Sequence, residues 1–140
     1  MVRDDTRSGL KRLREETGAS SVELLVFFPL LMLIILVTVQ VALSWYGNEV
    51  AIATARETAR VVREGGTTPA ELVQAEADGA RYATRVGGGR ALTDVDVHIA
   101  VDGDQARIVV TGTSMDIIAG LAPGIEATVT APIETFREDT

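Results

Sequence analysis

The sequence predicts an α+β fold: a long N-terminal transmembrane helix continuing into an amphipathic helix, then a second helix and a small antiparallel β-sheet. Three observations carry this. Leu24–Val39 contains no charged residue and only Thr38 as a polar one. Helical patterning with glycine and proline punctuation fills the middle of the chain. From Asp94 onward apolar and polar residues alternate, the period of a strand with one buried face. The expected division is a leader over 1–18, a membrane helix over 19–46 and an extracytoplasmic domain over 47–140.

The 140 residues carry a formal charge of -7, unevenly spread. Residues 1–18 hold Arg3, Arg7, Lys11, Arg12 and Arg14 against four carboxylates, which leaves the rest of the chain acidic. That acidic remainder offers no basic patch for nucleic acid. The absence of cysteine excludes a disulfide framework, a thiolate zinc site and a cysteine nucleophile. Basic residues flanking a span stay in the cytoplasm, so the N-terminus is expected inside and the C-terminal domain outside.

From Val22 to Tyr46 the chain exceeds the roughly 20 residues that a helix needs to cross hydrocarbon. Trp45 and Tyr46 stand where an interfacial aromatic belt belongs. A cleaved secretory signal has a shorter apolar core, although Ala51-Ile52-Ala53 shows small-residue spacing well beyond the run. Pro29 removes one helical hydrogen bond and predicts a kink, a distortion that membrane helices tolerate. Past Tyr46 the helix is expected to continue to Glu64. A helix from Ala19 to Glu64 would be about 70 Å long. Ala51, Ala55, Ala59 and Val62 trace a narrow packing stripe along its outer half, clearer than the mixed stripe through Val50, Ala53, Thr54, Glu57 and Val61.

Gly65-Gly66 stops this helix, and Thr68-Pro69-Ala70-Glu71 reads as the capping box of the next. That helix is expected to reach about Val86, with Gly79 an awkward residue at its middle, before Gly87-Gly88-Gly89 ends it. Val95, Val97, Ile99 and Val101 mark a first strand, Asp102–Gln105 a turn, and Ala106–Thr113 a second strand with Ile108 and Val110 on one face. Ser114–Ala122 is a connector with room for one helical turn. Ile125, Ala127, Val129, Ala131 and Ile133 mark a third strand, where Pro132 implies an edge or an end.

No catalytic constellation, cofactor motif or metal set is legible. His98, the single histidine, falls on a strand's polar face without partners at ligand or triad spacing. Asp94, Asp96, Asp102 and Asp104 lack the spacing of a calcium loop. Gly87–Gly89 has no following Lys-Ser/Thr and is no phosphate loop. These absences exclude a small-molecule substrate from the expected partners and an enzyme from the expected classes. Glu23 stands apart. A charge costs about 2.5–3.5 kcal/mol at mid-span and less near the interface, so a carboxylate at the head of the run calls for a cation or for headgroups. An amine created at Ala19 by scission after Gly18 would be one such cation.

Gly18-Ala19, with Glu23 at the fifth position after the junction and an apolar stretch behind it, resembles the processing site of type IV pilins. The stretch Ala19-Ser20-Ser21-Val22-Glu23-Leu24-Leu25-Val26-Phe27-Phe28-Pro29 is more narrowly similar to the N-terminus of TadE-like proteins, with proline six residues after the glutamate. Ala55-Arg56-Glu57-Thr58-Ala59-Arg60 resembles that family's continuation. The resemblance implies a pilin-like fold and a minor pilin or pseudopilin of the tight-adherence (Flp-type) pilus system, serving adhesion or secretion. It implies cleavage after Gly18 by a membrane prepilin peptidase, with Glu23 neutralising the Ala19 amine and setting register among bundled helices. The implied partners are membrane lipid, that peptidase, other pilin subunits and pilus assembly platform proteins. The implied place is the cell membrane, single-pass, then within or at the tip of a pilus. Glu15 and Glu16 beside the junction depart from a uniformly basic leader. The alternative is an uncleaved single-pass anchor displaying a small binding domain.

Overall fold

The computed structural model describes the backbone from Asp5 to Ile133 and the side chains from Val22 to Ile133. The element order is α1 (Asp5–Gly65), α2 (Pro69–Val86), β1 (Leu92–Asp102), β2 (Gln105–Ser114) and β3 (Gly124–Pro132). The protein is thus α+β, as its patterning predicts. It divides into two compact units, Met1–Thr38 and Val39–Thr140, each described by itself below.

In the first unit α1 runs through Pro29 without interruption in its assignment. Proline has no N–H to donate, so the Leu25 carbonyl four residues back loses its helical partner. Thr38 disposes of its hydroxyl internally, donating 2.8 Å to the Ile34 carbonyl. Such back-bonding lets a hydroxyl sit in an apolar stretch without an unpaired donor.

In the second unit the outer part of α1 supplies the alanine stripe. Ala51 and Ala55 are fully buried, and Ala59 and Val62 nearly so. Val50 and Thr54 of the mixed stripe are buried as well, and so is Thr58, which neither stripe includes, so the packed face is wider than four residues. Thr54 is admitted because its hydroxyl donates to the Val50 carbonyl at 2.7 Å. Arg60 stands on the opposite, exposed face. It bridges Glu57 at 2.7 Å and Glu64 at 2.6 Å, and its hydrogen bonds hold the Glu57 carboxyl below the usual range.

The capping box opens α2 as its residues dictate. The Thr68 hydroxyl accepts from the Glu71 N–H, while the Glu71 carboxylate accepts from the Thr68 N–H at 2.9 Å. Gly79 is buried at the middle of this helix. A Cβ there would meet the Thr58 hydroxyl at 2.5 Å and Val97 at 3.4 Å. The glycine that weakens the helix locally is what lets α2 approach both α1 and the sheet.

The sheet order is β1-β2-β3, antiparallel throughout. Val97, Ile99, Ile108, Val110, Ala127 and Ala131 form its buried face. The β1–β2 turn is the two-residue loop Gly103–Asp104, with Gly103 at φ 62 as such turns require. One extra residue in β1 between Thr93 and Asp96 makes a bulge, and Asp94 takes the positive φ of 51 within it. The outer edge of β1 is met by α2, whose Glu76 carboxylate accepts the Ile99 N–H at 2.8 Å. β3 is the other edge, and Pro132 is its last residue, which fits proline's missing donor.

The connector after β2 contains turns and no helical residue. Its ends are closed by the Ser114 N–H and hydroxyl, which donate to the Pro123 carbonyl at 3.3 and 3.4 Å.

Candidate functional site

The first unit offers a surface rather than a pocket. An 18-residue apolar stretch of α1 has none of its residues buried. Leu25 is 77 % exposed, and Phe27, Phe28, Leu30, Leu33 and Ile34 are all more than half exposed. A helix apolar on every side, with no protein covering it, is stable only in hydrocarbon or against other helices. This fits a single-pass membrane protein.

Glu23 lies at the head of that surface, exposed, between Val22 and Leu24, which are exposed as well. The structure gives it no ion-pair partner among the described side chains. Gly18 and Ala19 lie on α1, but the placement of their side chains falls outside the described residues. Ala19 and Glu23 stand four positions apart along the α1 backbone, about one helical turn. Pro29 follows within the same exposed run.

Elsewhere the candidates set aside on sequence stay apart. His98 is 72 % exposed, with Nδ1 3.6 Å from a Glu76 carboxylate oxygen that already accepts the Ile99 N–H. Among the described residues no group of three or more His, Asp or Glu is placed to hold a metal ion. Asp102 and Asp104 flank a hairpin turn and Asp94 a bulge, which accounts for their positions by backbone geometry. The Thr58 hydroxyl is the one buried side-chain polar atom without a hydrogen-bond partner among the described residues.

One residue has a role that sequence reading passes over. Gln40 reads as a polar residue diluting the end of the apolar run, yet it is 6 % exposed. Its Nε2 donates 3.0 Å to the Met115 carbonyl, and its Oε1 accepts the Ile117 N–H at 3.0 Å. A primary amide can satisfy a neighbouring carbonyl and N–H at once, and here it ties the β2–β3 connector to α1. The signal in the sequence is the amide itself, a costly group among valines and leucines that needs partners. Gly47 makes a close approach possible two turns further along the same face. A Cβ there would stand 2.9 Å from the Ala91 carbonyl and 3.3 Å from Ser114 Cβ.

No match is found among curated proteins or solved structures. Residues 18–60, a stretch that holds Gly18, Ala19, Glu23 and Pro29, match the family model described as TadE-like protein.

Proposed function

We propose that this protein is a structural subunit, a minor pilin or pseudopilin, in assembly of a tight-adherence (Flp-type) pilus. The observation that carries the reading is the TadE-like match at residues 18–60, which points to a Tad pilus-associated protein. The exposed, all-round apolar surface that follows Glu23 supports it, since such a surface suits both storage in a bilayer and packing among like helices.

In this reading a prepilin peptidase cuts after Gly18 on the cytoplasmic side. The new α-amino group of Ala19 is a cation for Glu23, on the same chain one turn away or on a neighbouring subunit. In water such a pair is worth little, but among helices in a medium of low dielectric constant an unpaired carboxylate is costly and its partner sets axial register. The mature helix then passes from lipid into the assembly, and the extracytoplasmic domain faces outward.

The test is incorporation. Glu23→Ala and Glu23→Gln should both insert in membranes and fold, yet both should be depleted from sheared pili relative to the native chain. Gly18→Leu should leave the leader attached and give the same depletion. Normal incorporation of the Glu23 variants would remove the register role, and normal processing of Gly18→Leu would remove the site. Full function of an uncleaved chain would leave a single-pass anchor bearing a small domain.

A further inference from the structure

We infer that the β2–β3 connector is a second membrane contact, with Ile117 and Leu121 seated in the outer lipid interface beside α1. The inference rests on α1 crossing the membrane and is independent of cleavage or pilus assembly.

The connector pairs part of its backbone within itself and with Gln40, and its one carboxylate, Asp116, is exposed but hydrogen-bonded. The Ser114–Pro123 bonds close its base. The Asp116 carboxylate accepts the Gly120 N–H at 2.8 Å, and the Leu121 N–H donates 2.9 Å to the Ile118 carbonyl. The Met115 carbonyl and the Ile117 N–H are taken by Gln40. A short loop whose ends meet and which is tied by hydrogen bonds at its base, its tip and to α1 is a compact presentation of its side chains. What it presents is apolar: Ile117 is 46 % exposed and Leu121 58 %.

Depth follows from where the loop is tied. Gln40 precedes Trp45 and Tyr46 on one helix by five and six residues, about 8 Å along the axis. Trp45 is 71 % exposed and Tyr46 51 %, and amphipathic aromatics of this kind settle at headgroup level. A loop bonded at Gln40 therefore meets the bilayer on the hydrocarbon side of those rings. Val39 and Val41, exposed on either side of Gln40, continue the same apolar surface. Between Ser114 and Gly124 there is no Lys or Arg and Asp116 is the single charge, so attraction to anionic headgroups is not the driving force. Burial of apolar side chains is, as for any interfacial segment. The contact gives the folded domain a fixed footing on the membrane surface instead of a single pivot.

The chain has no cysteine, so single cysteines report cleanly. The full chain, one copy per lipid nanodisc, would be labelled with an environment-sensitive fluorophore at Leu121→Cys, with Leu33→Cys in the span and Asp104→Cys in the hairpin turn as references. The expected result is a blue-shifted Leu121 emission, quenched by lipids carrying nitroxide near the headgroup, against an unquenched Asp104 label. Adding Gln40→Leu should return the Leu121 label toward the Asp104 value. A Leu121 label indistinguishable from Asp104, with Leu33 quenched by lipids carrying nitroxide deep in the acyl chain, would overturn the inference while leaving the span intact. A Leu33 label that acyl-chain nitroxide leaves unquenched would overturn both. Quenching at Leu121 that requires a second copy of the chain, not nitroxide lipid, would assign the face to subunit contact and also overturn it.

Discussion

Two stretches of α1, Val22–Thr38 and Val39–Gly65, are equally helical and obey opposite packing rules. The first is bulky and apolar on every side, and its side chains are exposed. The second buries two small residues, Ala51 and Ala55, completely, and turns Arg56, Arg60 and Arg63 outward. In water the hydrophobic effect selects one face and hides it. In lipid there is nothing to hide from, and composition loses its sidedness. The lesson is that large residues here mark the environment, whereas small ones mark the protein contact.

Substitutions should separate the two stretches. The largest effect is expected at Leu33→Arg, which places a charge within the span at a cost of about 2.5–3.5 kcal/mol. Membrane fractionation should show reduced insertion, while the charge-conserving Arg56→Lys at an exposed position outside the span leaves insertion unchanged. Ala55→Leu comes next. At a fully buried position, three added carbons have no space, and overpacking costs about 1–3 kcal/mol or more. A thermal melt of the detergent-solubilised chain should fall, whereas Leu31→Ala in the span should leave that melt unmoved.

Gly79→Ala should also destabilise. The gain in helix propensity is about 1 kcal/mol, and the collision with the Thr58 hydroxyl at 2.5 Å outweighs it. A stabilised melt would show that α2 can retreat from α1. The smallest effect is expected at the cap of α2, where Thr68→Ala removes an N-cap worth about 1 kcal/mol. This contribution is linked to pH. The Thr68 hydroxyl and N–H hold the Glu71 carboxyl below its ordinary value, so its stabilisation is present at neutral pH and is lost as acid protonates it. The difference between native and Thr68→Ala melts should therefore narrow on acidification through the carboxylate range.

Most of the architecture was legible because it rests on periodicity and punctuation. The alanine stripe, the Thr68–Glu71 box, the Gly103 turn and the alternation at Val97 and Ile99 are local signals that packing did not override. The structure departs where a tertiary contact decides. The connector at 114–122 forms no helical turn, since its backbone bonds go to Gln40 and to its own ends. Gly79 reads as a weak point of its helix, and only the approach of another element explains it and the buried Gly47. Glu23 was legible as a charge at the head of an apolar run; the partner proposed for it, created by scission or lent by another subunit, would leave no trace in one chain's contacts.

The central claim is that scission after Gly18 creates the cation that Glu23 balances. Intact-mass measurement and N-terminal sequencing of the chain extracted from membranes and from sheared pili test it most directly. The account predicts a mature protein beginning at Ala19 in both fractions. A functional protein that still carries Met1–Gly18 would contradict it.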